Sequence, residues 1–306
     1  MKKSVKAFIL GAVMLISCGC GAASPAQTSA PEQTAAPAAE TGPAAEEPET
    51  NGFVSLTASE VAKNMGIGLN IGNTMEAYEA TGCEKMTFEW IPVVGNNTPV
   101  DYETCWGAPV TTQAMVDGIK AAGFNTVRIP VFWGNMMEND GTWTINPDYI
   151  ARVKEIVDYC MNDGMYAVVN IHHFDEFIIR RNDLEHCVTI FGTLWTQIAE
   201  YFGDYPETLV FEGFNEYLGG DRFNANGDLV PQSKSDAYLS TNTLNQTFVN
   251  SVRATGGNNA ERVLIVSGYW TNIDNTTSTH RSHCWIRPLA RRGSPYSSVR
   301  PPRATR

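Results

Sequence analysis

TLVFEGFNEY, residues 208–217, runs from an apolar stretch through Glu212 and ends on Asn215 and Glu216. A strand that ends at the surface needs no particular polar residue there. A strand that ends at the mouth of a cavity delivers an amide and a carboxylate to it. Alternation along an extended chain places Glu212, Phe214 and Glu216 on one side, with Glu212 a layer deeper. A buried carboxylate needs a partner, and Arg128, inside TVRIPVFW (126–133), is the expected one.

Working outward, similar apolar runs appear at GIGLNIGN (66–73), TVRIPVFW (126–133), YAVVNIHH (166–173) and RVLIVSGY (262–269). Helical stretches separate them: LTASEVAKNM, with Thr57 and Glu60 at capping-box spacing, then 111–122, 147–163, 191–202 and 235–254. Within 147–163, Ile150, Val153, Ile156, Val157 and Cys160 form a stripe of helical period, Asn146 is suited to cap the helix and Pro147 to open it. Strands that alternate with helices and are apolar on both faces predict a parallel sheet covered by helices. Two architectures fit, an open doubly wound sheet or a closed barrel. The polar strand ends Asn70 and Asn73, Asn170 and His172, and Asn215 and Glu216 would converge on one rim only in the barrel. No G-x-G-x-x-G or phosphate-loop turn follows any run, which leaves a nucleotide site without support. The expected fold is therefore an α/β (β/α)8 TIM barrel, with its first five βα units present here.

The 306 residues are 43% hydrophobic and carry a formal charge of −11. That suffices for one sizeable core and argues against nucleic acid or an anionic membrane surface as the main partner. Lys2, Lys3 and Lys6 precede the apolar 7–16 segment, followed by Leu15-Ile16-Ser17-Cys18. This pattern reads as an export signal (1–17) with a lipobox-like end, so that Cys18 is the expected lipidation site. Residues 18–50, mostly Ala, Pro, Thr and Glu, bury too little apolar surface to order and are expected to form a tether. The predicted location is extracellular, anchored to the bacterial cell surface as a lipoprotein. The histidines of HHFDE, adjacent on a strand, should point apart, so no metal is expected there; no cofactor is expected either. NANGD (224–228) lacks calcium-loop spacing and is read as a turn.

The folded region, 51–278, contains GLNIGNTMEA, ETCWGAPVTTQAMVDGIKAAGFNTVRIPVFW, VVNIHHFDE, LWTQIAEYF, FEGFNE and VSGYWTN in that order. In this it resembles family 5 of the glycoside hydrolases, in its endoglucanase and xyloglucanase branch. The resemblance implies a (β/α)8 barrel that cleaves β-1,4-glucans with retention, using two glutamates. It implies that Glu216 is the acid/base, that Arg128, His172 and Asn215 surround the sugar at the cleavage point, and that Trp270 can stack on a sugar face. His173 and Asn73 are further strand-end candidates for substrate binding. The implied partner is a β-glucan of the plant cell wall, and the full-length protein is expected to be a monomer.

The pattern breaks at 279–306, THRSHCWIRPLARRGSPYSSVRPPRATR, with seven Arg and no Asp, Glu or Lys. Such a switch reads as out-of-frame or cloning-junction sequence. No nucleophilic glutamate can be assigned in it, so this chain alone is expected to be inactive as a hydrolase. The alternative reading is a non-catalytic glycan-binding surface lipoprotein.

Overall fold

The computed structural model describes residues 52–81, 91–216, 222–223 and 228–272. Cys18, the 18–50 tether, residues 224–227 of NANGD and the 279–306 segment lie outside them. Strands β1 (Gly68–Asn70), β2 (Thr126–Ile129), β3 (Tyr166–Asn170), β4 (Leu209–Glu212) and β7 (Leu264–Ile265) form a parallel sheet in the order β1-β2-β3-β4-β7. Strands β5 (Arg222–Phe223) and β6 (Leu229–Val230) make a small antiparallel pair on the connection that follows β4.

The helices are α1 (Ala58–Met65), α2 (Pro99–Thr104), α3 (Gln113–Ala121), α4 (Pro147–Asn162), α5 (Leu184–Tyr201) and α6 (Lys234–Ala254). Val127, Ile129, Ala167, Val169, Leu209 and Phe211 share one core with Val116 of α3, Val157 of α4, Leu194 of α5 and Phe248 of α6. The opposite face packs Tyr166, Val168, Val210, Val263 and Ile265 against Val61 of α1. A doubly wound sheet has helices on both faces. Here α3 to α6 all cover one face and α1 closes the lower end of the other, which is the arrangement of a barrel wall. Among the described residues the wall is open, with β1 and β7 at its two edges.

Local chemistry accounts for the helix starts. Thr57 Oγ1 accepts from Glu60 N–H (3.3 Å) while Glu60 Oε2 accepts from Thr57 N–H (2.8 Å). Asn146 Oδ1 accepts from Asp148 N–H at 2.8 Å, Pro147 opens α4, and the stripe from Ile150 to Cys160 is buried. Helix α5 begins at Leu184, earlier than the expected 191, because Asp183 caps it by accepting from His186 N–H (2.8 Å), and Cys187 and Ile190 extend its buried face. The short α2 was not expected, since its six residues are too few to show a period; Thr98 and Asp101 give it a capping box. Arg152 of α4 holds it through Glu103, with Nε to Oε2 at 2.9 Å and Nη2 to Oε1 at 3.0 Å.

The strands are shorter than their apolar runs, and the residues past the last rung set the site. After β4, Phe214 does not share a side with Glu212 as alternation predicts. It turns into the helix-covered core, 5.8 Å from the Phe191 ring. Gly213 permits the turn, since a Cβ there would lie 3.0 Å from the Phe248 ring. After β7, the chain leaves the sheet as Ser267 Oγ donates to Phe214 O (2.7 Å) and Ser267 N–H to Asn245 Oδ1 (3.3 Å).

Candidate active site

Arg128 organises the upper rim. Its Nε donates to Glu212 Oε2 (2.6 Å) and its Nη2 to Glu212 Oε1 (2.9 Å), the pairing expected from sequence. The same guanidinium reaches Asn70 Oδ1 (2.8 Å) and Asn215 Oδ1 (2.8 Å). Burial works against its charge, but the facing Glu212 carboxylate outweighs burial and holds the guanidinium above its ordinary pKa. A bidentate pair of this kind fixes geometry as well as charge. With Asn215 Oδ1 engaged, the amide nitrogen is left as a donor. Asn215 is further docked by its own N–H, which donates to Ile171 O at 2.9 Å.

His172 comes to the same rim from β3. Asn170 is fully buried and its Oδ1 accepts from Val131 N–H (3.1 Å), so its Nδ2 is the group that donates to His172 Nδ1 (3.2 Å). This assignment puts the imidazole proton on Nε2, where it can be given to a ligand. Burial, and then the neighbouring His173 and Arg128, push the His172 pKa well below the usual value. The ring is neutral across the physiological range and acts as a hydrogen-bond donor, not as a cation.

His173 departs from the expectation that the two histidines point apart. Strand β3 ends at Asn170, and His173 takes a left-handed φ of 56° that turns the chain. The two imidazoles lie 4.8 Å apart, centroid to centroid. His173 sits among Tyr78 (5.0 Å) and Phe132 (5.5 Å), with Glu176 Oε1 3.7 Å from its Nδ1. It lines the wall beside His172. No cluster of three or more metal-ligating side chains occurs among the described residues.

Glu216 is exposed at the end of the described part of this connection. Its negative charge is among the smaller influences on Arg128 and on Asp175. Asn73 is exposed on the loop after β1 with φ 65°, and its N–H donates to Glu76 Oε1 (2.5 Å); the β1 residue that joins Arg128 is Asn70. Trp270 is exposed after β7 with φ 59°, next to Tyr269. The structure thus gathers Arg128, Asn215, His172, His173 and Glu216, while Asn73 and Trp270 stand on flanking loops. A cavity of about 540 Å³ lies between β1 and α3, lined mainly by Leu69, Ile71, Met115, Ile119 and Phe124 and reached by Asn70, the residue that joins Arg128. It follows the uncovered edge of the sheet and offers little to a polar ligand.

Two carboxylates escaped the sequence reading. Glu76 is buried and accepts from the Asn73 and Thr74 N–H groups; its spacing of three from Asn73 was the available signal. Burial raises its pKa. Asp175 opens a π-helical turn (Asp175–Ile179), is buried, and has no hydrogen-bond partner for Oδ1. A single π turn has no sequence signature, so nothing marked it. Burial first, and then Glu176, push the Asp175 carboxyl up to about 7. The folded pKa exceeds the unfolded one, so the penalty is absent below about pH 4 and complete above about pH 7. Unfolding free energy is expected to fall by about 3–4 kcal/mol across that window through this group alone. Urea titrations at pH 5 and pH 8 should show the fall in the wild type and a much smaller one in Asp175→Asn. Equal falls in both proteins would remove Asp175 as the cause.

Residues 93–288 match the Cellulase family, glycosyl hydrolase family 5. The chain is 40% identical over 223 residues to endoglucanase A of Clostridium longisporum, an alignment that covers 72% of this chain and 40% of that protein. The chain belongs to glycosyl hydrolase family 5. It is also 36% identical over 229 residues to a xyloglucan-specific endo-β-1,4-glucanase of Bacteroides ovatus, covering 74% of this chain and 42% of the relative. Among solved structures, a broad-specificity endoglucanase of the family from Ruminococcus champanellensis with bound cellotriose superposes with a TM-score of 0.61 at 39% identity. That match covers 72% of this chain and 59% of the other. The family 5 chain spans about half the length of the curated relatives it matches, and its open five-stranded wall is part of the family's (β/α)8 barrel. The family match runs ten residues into the Arg-rich 279–306 segment.

Proposed function

We propose that this rim is the acid/base half of a retaining, endo-acting β-1,4-glucanase centre, working on a β-glucan once the barrel is complete. The observation that carries the reading is the Arg128 clamp, which locks Glu212 and Asn215 beside Glu216 and the neutral His172. A glycosidic oxygen is too basic to leave unprotonated, so a carboxylic acid must donate to it; Glu216 is that acid. The Asn215 amide, with only its nitrogen free, suits the 2-hydroxyl of the reacting sugar, and His172 Nε2–H suits a second hydroxyl. Retention needs another carboxylate about 5 Å from the acid. Glu212 is committed to Arg128, so the nucleophile is assigned outside the described residues. The relatives named for endoglucanase and xyloglucanase activity support the polymer class. The test joins residues 52–272 to the second half of the Ruminococcus champanellensis enzyme and assays barley β-glucan and xyloglucan. Turnover that depends on Glu216 is the expected result; turnover indifferent to Glu216 would overturn the assignment.

We also propose that the domain works outside the cell, tethered to the bacterial membrane through lipidated Cys18 and the 18–50 segment, on the lipobox-like sequence alone. The full chain expressed in a bacterium should partition into detergent, and Cys18→Ala should move it to the aqueous phase. Identical partitioning of the two would exclude the anchor.

A further inference from the structure

We propose that the turn after β3, residues 173–182, is a proton-operated latch on the wall of the rim, shut while the Asp175 carboxyl keeps its proton and released when it ionises. The latch concerns the wall itself and stands whether or not Glu216 is the acid. The turn lies flush against the core: Phe177 packs on Phe132 at 4.7 Å and Phe174 on Phe191 at 4.8 Å, and Ile178 and Ile179 are buried. Its backbone is a single π turn, closed where Arg180 N–H donates to Asp175 O at 3.1 Å. Turns of this kind are rare and concentrate at functional sites. Asp175 opens it with a carboxyl that is buried and has no hydrogen-bond partner for Oδ1.

A carboxyl in that position is tolerated only while neutral. Ionised, it needs water or a cation, and a dry charge without a partner is among the costliest groups to bury. Burial is the first cause that raises its pKa, up to about 7; the charges that act on it are Glu176 and Arg180 of its own turn, Glu216 after β4 and Arg222 of β5, two of each sign. Opening the turn hydrates the carboxyl and returns it to about 4. The open state therefore binds fewer protons than the shut one, and opening is favoured as pH rises from about 4 to about 7, with no further gain above. Opening also carries off His173, which lies 4.8 Å from His172 and 5.0 Å from Tyr78, so the rim keeps its Arg128 clamp and loses one wall. Cys187 lies beneath the turn: it is fully buried, with its Sγ 3.8 Å from both Ile178 O and Asn182 O. Burial pushes its thiol up to about 12, so it is inert until the turn lifts.

The test follows thiol exchange of the 306-residue chain with an activated pyridyl disulfide from about pH 5 to about pH 9, read cysteine by cysteine through peptide mass spectrometry. Each rate is divided by that of the same cysteine in the urea-unfolded chain, which removes the thiolate's own pH dependence. Cys160, fully buried in α4, reports global unfolding. The expected result is a Cys187 rate that rises about tenfold per pH unit from about pH 5 to about pH 7 and levels off above, while Cys160 stays slower throughout and Asp175→Asn abolishes the rise. A flat Cys187 profile, an equal rise in Asp175→Asn, or identical Cys187 and Cys160 rates would overturn the latch. Should Asp175→Asn not fold, which rapid Cys160 labelling would show, the slope and the split between the two cysteines in the wild type still decide. None of these readouts involves a sugar, so failure of the latch leaves the β-glucanase reading untouched.

Discussion

Glu216→Gln is expected to lower kcat/KM on β-glucan by about 10²- to 10⁴-fold, the usual share of general acid catalysis, in residues 52–272 joined to the second half of a family relative. Glutamine keeps the shape of the side chain and removes the transferable proton. Glu216 is exposed, so the fold should not feel the change. The diagnostic comparison is between leaving groups. An aryl cellobioside with an activated phenol departs with little protonation, so its glycosylation step should survive far better than hydrolysis of the polymer. His172→Ala removes a neutral donor and should cost less than the loss of the acid. Equal losses on polymer and aryl substrate would show that Glu216 acts otherwise than as the acid, by binding or by structure.

Arg262→Met is expected to destabilise the protein by about 3–5 kcal/mol, because several buried acceptors lose their donor at once. Arg262 is fully buried. Its guanidinium donates to Phe202 O (3.3 Å), Tyr205 O (2.7 Å), Pro206 O (2.7 Å), Leu209 O (2.8 Å) and Asn259 Oδ1 (2.7 Å), and lies 5.1 Å from the Phe211 ring. Burial, and then the nearby Arg253, bring its pKa down to about 10, so it stays charged at neutral pH. The carbonyls belong to the turn that leads from α5 into β4. Methionine has similar bulk but leaves those acceptors dry and unpaired, and each costs about 1–3 kcal/mol before relaxation. Lysine should not rescue it, because a point charge cannot reproduce the planar fork. Urea unfolding measures the effect; a loss within about 1 kcal/mol, the worth of a single net hydrogen bond, would mean that water or a shifted turn replaces the guanidinium.

Much of the fold could be read from local pattern because local chemistry sets it. The capping box at Thr57, the cap and proline at 146–147 and the buried stripe of α4 involve residues a few positions apart, and all three are present. Two-sided apolar strands announced a parallel sheet, and the sheet is parallel. Even one distant contact could be argued: a glutamate inside a buried strand needs a cation, and Arg128 was the cation inside another strand, two places away in the sheet.

The sequence by itself determined which residues arrive at the rim, since strand order and the rule that buried charges are paired place Arg128, His172, Asn215 and Glu216 there. Only the tertiary structure decided what each presents. Arg128 and Asn215 are 87 residues apart, and their bond settles which end of the amide is free. Asn170 receives the Val131 N–H 39 residues away, and that bond settles the tautomer of His172. The left-handed turn that brings His173 against His172, the inward swing of Phe214 and the unpaired Asp175 oxygen all occur where regular structure has stopped. Periodicity carries no information past the last rung of a strand. There the backbone goes where packing and unpaired hydrogen-bonding groups from remote segments take it, and those partners are set only when the chain has folded.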